Sequence, residues 1–250
     1  MLGGDRAMGT GVVVRRAGER FVTSAPGRTS WHAFSFGEHY DPARVGFGPL
    51  LVCNTDLIAA DHGYPDHPHR DAEILTWVLA GSLRHSDSFG NVGVVHPGLA
   101  QRMSAGSGIV HAEVNDAYRL DPERPVAPVS FVQMWVSPDR SGATPGYAQR
   151  ELAPADLDAG LVPVASGRDR DAAIDLGTRD ATFWATRLGA GEARRLPDAP
   201  ALFVLVGRGR IELEGAGPLG AGDHGELRDR GGSMITALDP AEVLVWGFGR

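Results

Sequence analysis

The sequence predicts an all-β protein made of two antiparallel β domains that share one architecture and pack as a pair. Three observations predict it. The chain carries 34 Gly and 17 Pro in 250 residues, enough punctuation for many short strands. Short apolar runs between Gly48 and Val114 are separated by turn signals, the pattern of an antiparallel barrel or sandwich. The second half then repeats the first in order, at an offset of about 125 residues.

Along the chain, the N-terminus MLGGDRAMGTG has no apolar core of the kind a secretory signal needs. The runs GPLLVC, AEILTWVL, VGVVHPG and SGIVHAEV read as strands, with a Phe89-Gly90-Asn91 turn between the second and third. SPDRSGATPG, from Ser137 to Gly146, is polar and rich in Gly and Pro, and reads as the interdomain connector. The expected domains are 1–138 and 139–250. The best helix candidate is short, at Pro154 to Asp158. The repeat pairs Val78-Leu79-Ala80-Gly81 with Val204-Leu205-Val206-Gly207, Pro97-Gly98-Leu99 with Ala221-Gly222-Asp223, and Ala105-Gly106-Ser107-Gly108-Ile109 with Arg230-Gly231-Gly232-Ser233-Met234.

Composition removes several classes of function. The net charge is −7, which gives no basic footprint for direct nucleic-acid binding. All 24 basic residues are Arg, and with abundant Ala and Gly this suggests a GC-rich bacterial genome. The longest apolar runs, such as Ala201 to Val206, fall far short of the roughly 20 residues that span a bilayer. Cys53 is the single cysteine, so no intrachain disulfide can form, which fits a reducing compartment. The expectation is a soluble cytoplasmic protein.

Chemistry concentrates in the first half, in Asp66-His67-Pro68-His69-Arg70 and His111-Ala112-Glu113. Residues at i and i+2 of a strand share a face, so His67 and His69 can aim two imidazoles at one point. Pro68 cannot donate to a sheet ladder, which places this segment at an edge or a barrel mouth. A facing strand would add the His111 imidazole and the Glu113 carboxylate. Three nitrogens and one oxygen suit a divalent transition metal with coordination positions left open. Fe(II) leads for oxygen chemistry, and Mn, Ni, Co, Cu and Zn fit the same donors. Glu73 shares strand parity with His67 and His69, as Glu113 does with His111, so parity alone leaves the choice of carboxylate open.

The segments WHAFSFGEHYDP, GFGPL, PDHPHRDAEILTWVLAGSLRHSDSFGN and QRMSAGSGIVHAE resemble the pirin family of the cupin superfamily, especially its bacterial quercetin 2,3-dioxygenase-like members. Phe131 to Val136 (FVQMWV) with Pro145-Gly146-Tyr147 is similar to the segment joining the two cupin domains there. The resemblance is dense over residues 30 to 150. It implies a bicupin fold with one metal, usually iron, in the N-terminal barrel, and His67, His69, His111 and Glu113 as its ligands. It favours Glu113 over Glu73, which would then orient a ligand histidine from outside the ligand set.

Shifting the ligand positions by the repeat offset lands on Ala193, Arg195, Thr236 and Leu238, so the C-terminal domain is expected to hold no metal. His224 is expected at a surface turn in AGDHG. His85 and His96 lie beside turns and are expected to be hydrogen-bonded or exposed. Asn115 is expected to be structural, and Trp77 and Trp135 to be core or interface aromatics. Arg70 could steer an anionic substrate or pair with Asp71 or Glu73.

Two function classes follow. The first is an enzyme that cleaves quercetin or a related flavonol or enolic substrate with dioxygen, with Glu113 doubling as ligand and general base; the flavonol comes from the resemblance. The second is a non-catalytic pirin whose metal or redox state alters a surface that binds a partner protein. A zinc hydrolase that needs no oxygen is a weaker third. The expected partners are a small flavonol-like molecule and O2, with no nucleic acid or membrane, in a monomer or weak dimer.

Overall fold

A computed structural model describes residues 11–115, 123 and 127–249; the N-terminal reading therefore falls almost wholly outside the described residues. Among the described residues, twenty-two strands form four sheets, with one short α-helix, Pro154–Ala159, where the sequence placed it. Pro154 opens that helix at a position where its missing N–H costs nothing, and Leu157 is its buried residue.

The first barrel pairs a seven-stranded with a four-stranded sheet. The large sheet runs Gly146–Glu151, Leu99–Ser104, Glu73–Ala80, Val129–Val136, Leu50–Ile58, Arg28–His32, Phe21–Ala25. The small one runs Gly63–His69, Ile109–Asn115, Leu83–Asp87, Val92–Val95. The second barrel repeats this order in the five middle strands of its large sheet and in all four strands of its small one, while its outermost strand, Ile174–Asp175, pairs in parallel. Its large sheet is Gly11–Arg15, His224–Arg228, Ala201–Arg208, Ala241–Phe248, Ala181–Leu188, Val162–Ser166, Ile174–Asp175. Its small sheet is Ala193–Arg195, Met234–Ala237, Arg210–Leu213, Gly217–Gly220. The architecture is the duplicated one that the repeat predicts.

The expected division at 138/139 meets two exchanges of strands. Gly11–Arg15 pairs with His224–Arg228 in the second barrel, while Gly146–Glu151 pairs with Leu99–Ser104 in the first. The Ser137–Gly146 segment is tied at both ends rather than loose. Asp71 accepts from Ser141 Oγ and Gly142 N–H, and the Asp139 N–H donates to the Gly177 carbonyl.

Alternation explains why strand Glu73–Ala80 is buried on both faces. Leu75, Trp77 and Leu79 enter the large apolar cluster between the two barrels, with Val132, Met134, Phe183, Phe203 and Trp246. Ile74, Thr76 and Val78 alternate with them and face the interior of the first barrel. Trp77 is thus an interface aromatic, and its indole N–H donates to Glu242 of the other barrel at 2.6 Å. No helix among the described residues is long and apolar enough to cross a membrane.

One expectation is corrected here. His224 is fully buried, not a surface turn residue: Asp223 takes the turn, accepting the N–H groups of Gly220 and Ala17, and the strand begins at the next residue. His224 packs between Phe34 and Phe203.

Candidate metal centre

Strand Gly63–His69 forms the free edge of its sheet, as a segment with two prolines requires. Its register with Ile109–Asn115 sets His67 opposite His111 and His69 opposite Ile109. A bulge then intervenes, so that Glu113 pairs with Tyr64. Such bulges re-aim side chains. This one brings the Pro65 carbonyl 2.8 Å from His67 Nδ1.

His67, His69 and His111 come together, each offering a nitrogen within 4.8 Å of the others'. Their ring centroids lie 4.4 to 4.9 Å apart. His69 Nε2 and His111 Nε2 are buried and have no hydrogen-bond partner within the protein. Buried polar atoms are almost always satisfied, so convergent orphan nitrogens fit a metal ion. Burial, reinforced by the neighbouring imidazoles, pushes the His69 pKa down to about 4 and that of His111 to about 2. Both rings are therefore neutral at pH 7, the form that binds metal.

Glu113 is also buried, and its carboxylate is closely held. Gln133 Nε2 donates to Oε2 at 2.6 Å, Thr76 Oγ1 reaches Oε1 at 3.4 Å, and Trp135 Nε1 donates to Gln133 Oε1 at 3.1 Å. Burial raises its pKa to about 7, with the Asp56 charge adding to the rise against the bonds from Gln133 and Thr76. A divalent cation would supply the missing counter-charge. Glu113 groups with His111 and His85, within 4.8 Å, so His111 belongs to two overlapping triads.

Glu73 lies elsewhere. Its Oε2 accepts from Ser104 Oγ and the Gly177 N–H, with Arg102 4.0 Å away, on the side facing the second barrel. Parity with His67 does not carry over, because Asp71, at φ 51°, breaks the strand between them. Arg70 is exposed at the mouth, on a shallow cavity of about 380 Å³ beside His69 and Gly108.

Sequence reasoning missed two site residues. Trp135 packs edge-on against the His69 ring at 4.7 Å, forming a wall of the site rather than plain core. His85 is fully buried against His111, with ring centroids 5.2 Å apart, and is hydrogen-bonded to Asp87 as the expectation allowed. The signal was present: LRHSD holds an H-x-D with the same i, i+2 spacing as H-x-H and H-x-E. Its register sets Asp87 opposite His111 and His85 opposite Glu113. His96 sits half-exposed near Glu151, and the Asn115 amide donates to the Ile58 and Ala127 carbonyls, a structural role.

Two like barrels, with a histidine-rich pocket in the first, define a bicupin with a candidate metal centre. The chain belongs to the pirin family. The Pirin family model matches residues 14–136. A Mycobacterium tuberculosis protein named "Putative quercetin 2,3-dioxygenase" is 49% identical over 94% of both chains. The Escherichia coli quercetin 2,3-dioxygenase is 34% identical over 94% of this chain and 97% of its own. Among solved structures, bacterial pirin YhhW of Escherichia coli superposes with a TM-score of 0.85 at 32% identity, covering 95% of this chain and 97% of that one. The same protein in complex with nickel(II) matches with a TM-score of 0.84.

Proposed function

We propose that this protein is a metal-dependent oxidoreductase that cleaves quercetin or a related flavonol or enolic substrate with dioxygen. His67, His69, His111 and Glu113 would hold one divalent metal, Fe(II) in the cell. The observation that carries this reading is the convergence of three imidazoles, two of them with buried orphan nitrogens, beside a buried carboxylate at a barrel mouth. The E. coli relative named as a quercetin 2,3-dioxygenase supports the substrate class, and the nickel complex of YhhW supports a divalent ion on such donors. The bound metal would supply a Lewis-acid position for an enolate oxygen and a route for electrons to dioxygen. Glu113, poised near pH 7 by burial, is the candidate base for the flavonol hydroxyl proton. Gln133 and Thr76 aim its carboxylate, and Trp135 walls the His69 side against water. A cytoplasmic setting belongs to the same reading.

The test is reconstitution with Fe(II), Ni(II), Mn(II), Co(II), Cu(II) or Zn(II), followed by quercetin consumption with and without oxygen. Oxygen-dependent flavonol loss with matching oxygen uptake is expected. Metal-loaded protein that leaves a panel of flavonols and other enols untouched would overturn the enzyme reading and favour a metal-sensing regulator.

A further inference from the structure

Resting on the metal-site reading above, we infer that Asp87 and His85 are positioning residues that fix the tautomer of His111 and so present its Nε2 lone pair to the metal. Counting donors and acceptors carries the inference. Asp87 Oδ1 receives the backbone N–H groups of Phe89 at 2.9 Å and Asn91 at 3.1 Å, and Asn91 Nδ2 reaches Oδ1 at 3.1 Å and Oδ2 at 2.9 Å. A carboxylate held by these donors only accepts, so the proton between His85 Nε2 and Asp87 Oδ2, 3.1 Å apart, sits on the imidazole. The other nitrogen of a neutral His85, Nδ1, is then an acceptor. It stands 3.4 Å from His111 Nδ1, and two ring nitrogens can share a hydrogen bond only if one donates. His111 therefore carries its proton on Nδ1. Its Nε2, buried and without a partner, is the nitrogen left for the group with His67 and His69.

The same logic governs His67, whose Nδ1 can only donate to the Pro65 carbonyl at 2.8 Å, leaving Nε2 free. One ligand is thus oriented by its own strand and the other by a two-residue relay from a surface turn. The relay is well fixed. Tyr147 stacks on His85 at 4.7 Å and 24°, and Ser88 ties the turn to Val110, next to His111, through the bonds Ser88 N–H to Val110 O and Val110 N–H to Ser88 Oγ. Partners of metal-bound histidines outside the ligand set commonly work in this way, fixing ring orientation and raising basicity.

Two substitutions at His85 separate this role from packing. His85→Asn offers an acceptor oxygen close to where Nδ1 stands but loses the ring stacked on Tyr147. His85→Phe keeps the ring and loses the acceptor. Ni(II) affinity, measured by chelator competition on proteins shown folded by thermal melts, is expected to fall about 10–100-fold in His85→Phe and in Asp87→Ala, and to be largely retained in His85→Asn. Nitrogen-15 NMR of histidine-labelled, metal-free protein is expected to find His111 protonated on Nδ1 and His85 on Nε2. His85→Phe binding at least as tightly as His85→Asn, or His111 protonated on Nε2, would overturn the relay. If wild type takes up no metal at all, the metal-site reading fails instead, and the NMR tautomers alone decide the relay.

Discussion

In the second barrel, strand Ala201–Arg208 sends Leu202, Val204 and Val206 inward, where they join Val243, Val245, Ile211 and Leu227 in one apolar cluster. The corresponding strand of the first barrel sends Ile74, Thr76 and Val78 inward, and its neighbour adds Gln133. The apolar interior of the first barrel is accordingly split into two small clusters, one around Phe131 and one around Met103, with Glu113, Gln133, His85 and His111 among its buried polar residues. The registers correspond as well. His67 faces His111 in one barrel, and Ala193 faces Thr236 in the other. One backbone therefore serves two ends: filled with aliphatic side chains it stabilises the pair, and with its middle given over to hydrogen-bonded polar groups it can host an ion. The shared apolar face between the barrels, including Trp77, Phe183 and Trp246, is what lets the first barrel do without a continuous core of its own.

The largest effect expected from this contrast is on metal content. His67→Ala combined with His111→Ala in the full chain should take elemental analysis from about one transition metal per chain to none, because Ala193, Arg195, Thr236 and Leu238 offer the second barrel no replacement set. About one metal per chain remaining in the double variant would break the asymmetry between the barrels. The carboxylates come next. Glu113→Gln should weaken metal binding and lower any flavonol turnover by about 10²–10⁴-fold, since ligand charge and candidate base go together. Glu73→Gln should keep the metal and instead lose about 1.5–3 kcal/mol of stability, read by urea unfolding, through its contacts to Ser104 and Gly177. The reverse pattern would move the ligand role to Glu73.

Much of this was legible in the sequence, for identifiable reasons. H-x-H and H-x-E fold onto facing strands because a period of two is enforced by the pleat, and the repeat appears as one strand order shared by the middle of the two large sheets and by the two small ones. What could not be read depended on tertiary pairing. Parity linked Glu73 to His67 only as long as the strand continued, and Asp71 ends it. The two exchanged edge strands, Gly11–Arg15 and Gly146–Glu151, pair with partners more than 40 residues away in sequence, beyond the reach of local pattern. His224 looked like a turn residue because its neighbours are Gly and Asp, and only the packing of Phe34 and Phe203 shows otherwise.

A core substitution sharpens the comparison from the stability side. Leu202→Ala, at a fully buried site in the aliphatic barrel, should cost about 2–5 kcal/mol in urea unfolding while leaving Ni(II) affinity unchanged. A matching loss of affinity would mean that the second barrel tunes the metal site through the interface and is not simply its support.

The smallest effect concerns acid. His224 is the buried histidine of the aliphatic barrel, and its pKa is lowered, chiefly by burial and further by Arg20 and Arg44, against an opposing contribution from Glu226. A folded pKa below the unfolded value of about 6.5 means that the unfolded chain binds the extra proton first. Its contribution to stability is then complete above about pH 6.5 and declines as the pH falls toward the folded pKa, at a slope of at most about 1.4 kcal/mol per pH unit for one proton. His224→Phe, which fits a site already lined by Phe34 and Phe203, removes that slope. Urea unfolding of metal-free protein at pH 7.5 and pH 5.5 should therefore show a smaller acid loss in His224→Phe than in wild type. The acid sensitivity that remains in the variant should come mainly from the first barrel, where burial lowers the pKa of His32, His69, His85 and His111, against Glu113, whose raised pKa makes acid stabilising at that group. Equal acid losses in variant and wild type would show that His224 does not titrate across folding, and would confine the protein's acid response to the barrel that carries the candidate metal centre.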